Sequence, residues 1–177
     1  MRNIVFITAL LLLGGCTVTR DVESKYRPIE TMAERPSLPN GDSIITTVGK
    51  TVFVGDLEKW MAAHPAGSPR YDSIMLHEKV HSHRQLKAGL LGLTLWLGNY
   101  FSDQSFRWRE EKLGWYVQLK MYQRYGLLVD AERVARTLDG YIPKLVDYDE
   151  ALQWVRDVLS GSWKPQDGEL PPDLDIN

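Results

Sequence analysis

Hydrophobic positions are spread unevenly along the chain. Residues 4–13 form an almost unbroken apolar run, whereas residues 17–42 place Pro28, Pro36 and Pro39 among charged and polar side chains with little periodicity. A stretch of the second kind has too little apolar surface to offset the entropy of ordering. Residues 16–42 are therefore expected to form a tether that closes in the turn signal Asn40-Gly41-Asp42. Residues 44–48 and 51–54 are rich in Ile, Val and Thr and are separated by Gly49-Lys50, which predicts an antiparallel hairpin. Asp56 is placed to cap a short helix through Trp60 and Met61. The following His64-Pro65-Ala66-Gly67-Ser68-Pro69 reads as loop, His64 included.

Helical periodicity governs most of the rest. Residues 72–87 contain neither Gly nor Pro, and Ile74, Leu76, Val80 and Leu86 supply apolar contacts along about four turns. Residues 88–101 are strongly apolar but carry Gly89, Gly92 and Gly98. That stretch falls short of the roughly 20 residues a bilayer requires, so a buried helix or loop is expected there in preference to a membrane-dipping segment. A helix over 105–125 offers Trp108, Leu113, Trp115, Leu119 and Tyr122 for packing, with both tryptophans read as core, and Gly126 ends it. Helices at 129–138 and 147–159 have Asp130 and Asp147 as caps and Gly140 and Gly161 beyond their ends. The closing stretch 164–177, with three prolines and four carboxylates, is expected to be a solvated tail.

Composition narrows the chemistry. A chain of 177 residues that is 44% hydrophobic suits one compact domain. Lys and Arg number 21 against 23 Asp and Glu, a net charge of −2, so no sequence-wide positive field exists to draw the protein to nucleic acid. The one cysteine, Cys16, lies near the start. Any metal in the body must therefore be held by His and carboxylate rather than thiolate.

The beginning of the chain has the layout of a signal peptide: Met1-Arg2-Asn3, the apolar run, then Leu13-Gly14-Gly15-Cys16. Those last four residues resemble the lipobox of bacterial lipoproteins. The resemblance implies that residues 1–15 are a signal peptide removed on export, that Cys16 is lipidated, and that the mature chain is anchored to a membrane of the bacterial cell envelope. Thr17, standing where Asp would favour the inner membrane, implies the outer membrane in a Gram-negative host.

The most informative pattern is His77-Glu78-Lys79-Val80-His81, inside the helix predicted over 72–87. At about 100° per residue, His77 and His81 lie about 40° apart around the axis and one turn along it, so both imidazoles can reach one ion. Glu78 sits on the flank nearer His81, where its carboxylate can touch a metal-bound water without ligating the metal. His83 is turned about 240° from His77, away from that face.

This H-E-x-x-H pattern resembles the zincin metallopeptidases. The chain lacks the third histidine of the metzincin branch, since Ser82-His83-Arg84-Gln85-Leu86-Lys87 follows the motif. The gluzincin arrangement, in which a glutamate on a second helix completes the site, remains. Glu110 and Glu111 are the two candidates. Glu111 is favoured, because the family places a small residue three positions after the ligand and Gly114 stands in that relation to Glu111, whereas Leu113 follows Glu110. The stretch 106–116 and Gln85 are also similar to small bacterial and phage-type H-E-x-x-H proteins, and the likeness extends over about 44–126.

The resemblance implies an α+β, mostly helical, small zincin-like domain over 43–163, with a short antiparallel sheet before the motif helix. It implies Zn²⁺ held by His77, His81 and Glu111, and Glu78 as general base acting on a zinc-bound water to hydrolyse a peptide or protein substrate. Tyr100, Tyr116, Tyr122 and His83 are candidates for the oxyanion donor. Strand 51–54, if it is the sheet edge beside the motif helix, would align an extended peptide. Two other readings stand beside this one: a non-enzymatic envelope lipoprotein with a structural or degenerate metal site, and an amide hydrolase acting on cell-wall cross-links.

Overall fold

A computed structural model describes residues 18–35, 45–87 and 89–176. The 1–15 signal segment, Cys16 and its lipobox lie outside the described residues. Among those described, the protein is α+β, with a four-stranded sheet and six α-helices. Strands β1 (Thr19–Asp21), β2 (Thr31–Glu34), β3 (Ile45–Val48) and β4 (Thr51–Val54) are followed by helices α1 (Leu57–Ala63), α2 (Pro69–Leu86), α3 (Gly89–Ser102), α4 (Gln104–Arg124), α5 (Ala131–Asp139) and α6 (Tyr148–Ser160).

The hairpin expected around Gly49-Lys50 is present, with β3 and β4 antiparallel and Val48 opposite Thr51. Gly49 has φ +59°, the left-handed region that such a turn requires and glycine adopts without strain. The rest of the sheet corrects two expectations. First, the order is β1-β2-β4-β3, and β2 runs parallel to β4, so the sheet is mixed rather than wholly antiparallel. Second, β4 lies inside the sheet, and the edge strand on its side is β3.

The tether expectation fails over the described residues 18–35. These residues supply β1 and β2, and they bury Tyr26, Ile29 and Met32 against Val52, Val54 and Met75. Three apolar side chains spread among polar and charged residues carry no periodic signal, yet the parallel pairing of β2 with β4 brings them into one apolar cluster with Val52 and Val54.

Helix α2 begins three residues before the expected Asp72, because Ser68 caps it by accepting from the Tyr71 amide and Pro69 occupies the first turn. Asp56, Asp103 and Asp130 cap α1, α4 and α5 in the same way. One face of α2 packs on the sheet through Tyr71 and Met75, and Val80 joins the larger apolar cluster with Leu113, Val117, Leu138 and Val155.

Two further corrections concern α3 and the C-terminal stretch. Residues 89–102 are helical, but Trp96 alone among them is buried, so the expected buried segment is largely solvent-facing. No described helix is long and apolar enough to cross a membrane. The supposed tail packs: Leu170, Leu174 and Ile176 lie on the large cluster, Asp173 binds Lys79 at 2.8 Å, and Asp175 binds Arg124 at 3.0 Å. Its apolar residues are few, but Lys79 and Arg124 supply fixed charges for its carboxylates to dock against.

Candidate metal centre

Helices α2 and α4 lie side by side, and their contact face is polar where a core is normally apolar. His77, Glu78, His81 and Gln85 of α2 and Glu110, Glu111 and Gln118 of α4 are all buried. Unpaired charges would be costly in such a place, so the partners of each group define what the site does.

His77, His81 and Glu111 each direct one ligand atom to a common point, and these atoms lie within 4.8 Å of one another. His77 Nε2 is 3.0 Å from His81 Nε2 and 3.6 Å from Glu111 Oε2, and His81 Nε2 is 3.5 Å from Glu111 Oε1. Donors that share a tetrahedral ion at about 2.1 Å stand about 3.4 Å apart, so the observed spacings fit a bound cation without rearrangement of the helices. The group can hold a metal ion.

The surroundings also prepare the ligands. His77 Nδ1 donates to Gln118 Oε1 at 2.9 Å, which leaves the Nε2 lone pair facing the common point. Tyr100 and Tyr141 donate to the two oxygens of Glu111, at 2.5 and 3.1 Å, and Trp115 Nε1 donates to the Tyr141 hydroxyl. Burial, followed by the charge of Glu111, holds both tyrosines well above their ordinary pKa, so they remain donors. Burial would raise Glu111, but the charges of His81 and His77 with their hydrogen bonds outweigh it and bring its pKa down to about 2. Burial would also lower His77, yet the bond and charge of Glu111 and the charge of Glu78 raise it, while His81 is pushed down by burial and by its cationic neighbour. The acidic environment of Glu111 and Glu78 around the two imidazoles is one that a divalent cation would neutralise.

Gly114 explains how closely the helices approach. A Cβ there would stand 2.5 Å from Cδ2 and Nε2 of His77, so only glycine leaves room for the imidazole. That contact also separates the two adjacent glutamates. Glu111 faces the histidines, whereas Glu110 turns to the other side of α4 and forms a two-pronged pair with Arg84 at 2.5 and 2.7 Å while accepting from Trp96 Nε1.

Glu78 is buried beside the triad and is not one of its three donors. Its Oε2 accepts from Thr47 Oγ1 of the edge strand at 2.6 Å. Gln85 ties the same hairpin to α2, donating to Thr47 O and accepting from Gly49 N. Of the other residues considered from sequence, Tyr100 is at the site through Glu111. Tyr122 reaches it only through Gln118, Tyr116 packs on Trp163, and His83 lies away from it in a surface groove. Trp108 is core as expected, but Trp115 rests edge-on against His77.

Thr47, Gln118 and Tyr141 were missed from the sequence. Gln118 lies seven residues after Glu111 and four after Gly114, on one stripe of α4, so helical spacing pointed to it. Thr47 and Tyr141 come from a strand and a loop, and no local pattern relates them to the motif.

Above the triad, Trp96 of α3 packs on His81 with ring centres 5.9 Å apart and stacks on Tyr100 at 4.7 Å. Helix α3 therefore covers one side of the site. Comparison of the chain with family models, with curated proteins and with solved structures finds no significant match.

Proposed function

We propose that this protein is a zinc-dependent metallopeptidase of zincin type, hydrolysing peptide bonds in the cell envelope. The observation that carries the reading is the pairing of a buried His-His-Glu donor set with a separate buried carboxylate, Glu78, on the adjacent position of the same helix. His77, His81 and Glu111 would hold the ion, and a set of two nitrogens and one carboxylate would suit zinc. When bound, zinc supplies Lewis acidity for the scissile carbonyl and the attacking water. Glu78 takes the water proton on Oε1, the oxygen that Thr47 does not engage, and delivers it to the leaving amine. Thr47 fixes the carboxylate's direction, and Gln118 fixes the tautomer of His77. Strand β3 pairs with β4 on one side, and its other side is the edge where an extended substrate would add by main-chain hydrogen bonds. The N-terminal pattern supports export and lipid attachment at Cys16, which intact-mass analysis of membrane-extracted chain against Cys16→Ala tests.

The burial of all three ligands and the double tyrosine grip on Glu111 favour a second reading, a structural metal site in a non-enzymatic envelope protein. Elemental analysis of the full chain, with hydrolysis assays on peptides and cell-wall cross-links, decides between them. One zinc per chain that is lost in His81→Ala, with hydrolysis that disappears in Glu78→Gln while zinc stays, is the expected result. Zinc with no hydrolysis and a protein atom as fourth ligand in X-ray absorption gives the structural reading. No metal after reconstitution removes both.

A further inference from the structure

Helix α3 has an outer face that the metal centre does not explain. Leu90, Leu91, Leu95 and Phe101 are 80%, 71%, 59% and 52% exposed, and no charged residue occurs between Lys87 and Asp103. A solvated helix places charge on such a face, so three bare leucines and a phenylalanine on one uncharged helix mark an interaction surface.

What adjoins that row indicates the occupant. A groove of about 580 Å³ at the N-terminal end of α3 is lined by Arg27, Lys50, His83, Leu86 and Lys87, together with the carboxylates Glu30 and Asp173. Both carboxylates are already engaged, Glu30 by Lys50 at 2.6 Å and Asp173 by Lys79 at 2.8 Å, so Arg27 and Lys87 leave the groove net positive. Groove and helix adjoin, because Leu86 and Lys87, which line the groove, lie two to three residues before Gly89 at the start of α3, and a Cβ built on Gly49 would stand 3.7 Å from Leu93 and 4.0 Å from Leu86.

We propose that α3 and its cationic rim form a docking surface for an anionic lipid bilayer. The leucines and Phe101 enter the acyl boundary while Arg27 and Lys87 meet headgroup phosphates. A second copy docking through the same face would set Arg27 and Lys87 against their like, since Glu30 and Asp173 are already paired within the chain, so charge complementarity favours lipid. The surface depends neither on the peptidase reading nor on lipidation of Cys16.

The test uses the full chain carrying Cys16→Ser and a single reporter cysteine, Leu95→Cys or, on the distant helix α6, Gln153→Cys, each labelled with an environment-sensitive fluorophore. On mixed phosphatidylglycerol–phosphatidylcholine vesicles the label at position 95 should shift to the blue and be quenched by acyl-chain bromine, while the label at 153 stays in water. Arg27→Glu with Lys87→Glu should remove the preference over pure phosphatidylcholine. A label at 95 that stays in water on vesicles that capture the chain overturns the proposal, as does an equal response at 153. So does an apolar signal at 95 without vesicles in a chain that light scattering finds dimeric.

Discussion

The α2–α4 interface and the α5–α6 end of the molecule bury side chains in opposite ways. At the first, two histidines, three glutamates and two glutamines are enclosed, and nearly every one has a named partner, with His81 Nδ1 as a buried exception. At the second, Ala135, Leu138, Ala151, Val155 and Val158 pack together, and no polar or charged residue of α5 or α6 is buried among the described residues. Apolar packing stabilises on its own, whereas buried polarity stabilises little once its desolvation is counted. Polarity on this scale therefore marks where a metal ion could be held, and the apolar end marks where the fold is held.

The largest effect expected from that contrast is on stability alone. Leu138 is fully buried among α5 and α6, and Leu138→Ala should cost about 2–5 kcal/mol by lost transfer energy and the cavity left behind. Chemical denaturation would measure the loss, while the metal content of the folded fraction should stay at its wild-type value. A fall in metal content at full folding would show that the two ends are not separable.

The adjacent glutamates sharpen the same contrast within one turn of α4. Glu110→Gln leaves Arg84 without its carboxylate in a mostly enclosed place, and it should cost about 3 kcal/mol of stability with little change in metal affinity. Glu111→Gln should do the reverse, lowering metal affinity by tenfold or more with a smaller effect on unfolding. Competition with a chelator and denaturation on the two variants separate these outcomes, and a reversed order would move the third ligand. Gly114→Ala should fall between them. Its methyl would displace the His77 ring, costing about 1–3 kcal/mol and weakening metal binding at once.

The two regions also differ in how far they could be read from sequence. Helix ends were legible at Asp56, Asp130, Gly126 and Gly161, because a cap acts within three residues of itself, whereas Asp147 stands at the start of α6 without a side-chain cap bond. His77, Glu78 and His81 were legible because their geometry follows from helical spacing. Glu111 needed one more step, and Gly114 supplied it, since the room for an imidazole at that position is a property of one residue. Residues 18–35 and the C-terminal stretch were misread for a common reason: their order comes from partners far along the chain, β4 for Met32 and Lys79 for Asp173. Exposure of α3 was misread because an apolar run carries no information about what covers it.

Thr47→Val is the smallest change considered and tests whether the polar region is organised beyond its ligands. The substitution keeps the β-branched shape on strand β3 and removes only the hydroxyl that donates to Glu78 Oε2. A lost hydrogen bond of this kind costs about 1 kcal/mol, somewhat more because the carboxylate it leaves is buried and charged. Metal binding should be unchanged, because Thr47 touches none of the three donors. If Glu78 is the proton acceptor, freeing its carboxylate should lower kcat while leaving KM near its wild-type value, and Thr47→Ser, which restores the donor, should recover most of the rate. Equal losses in the Ser and Val variants would mean that Thr47 acts by packing against the sheet edge, and Glu78 would then be positioned by α2 alone.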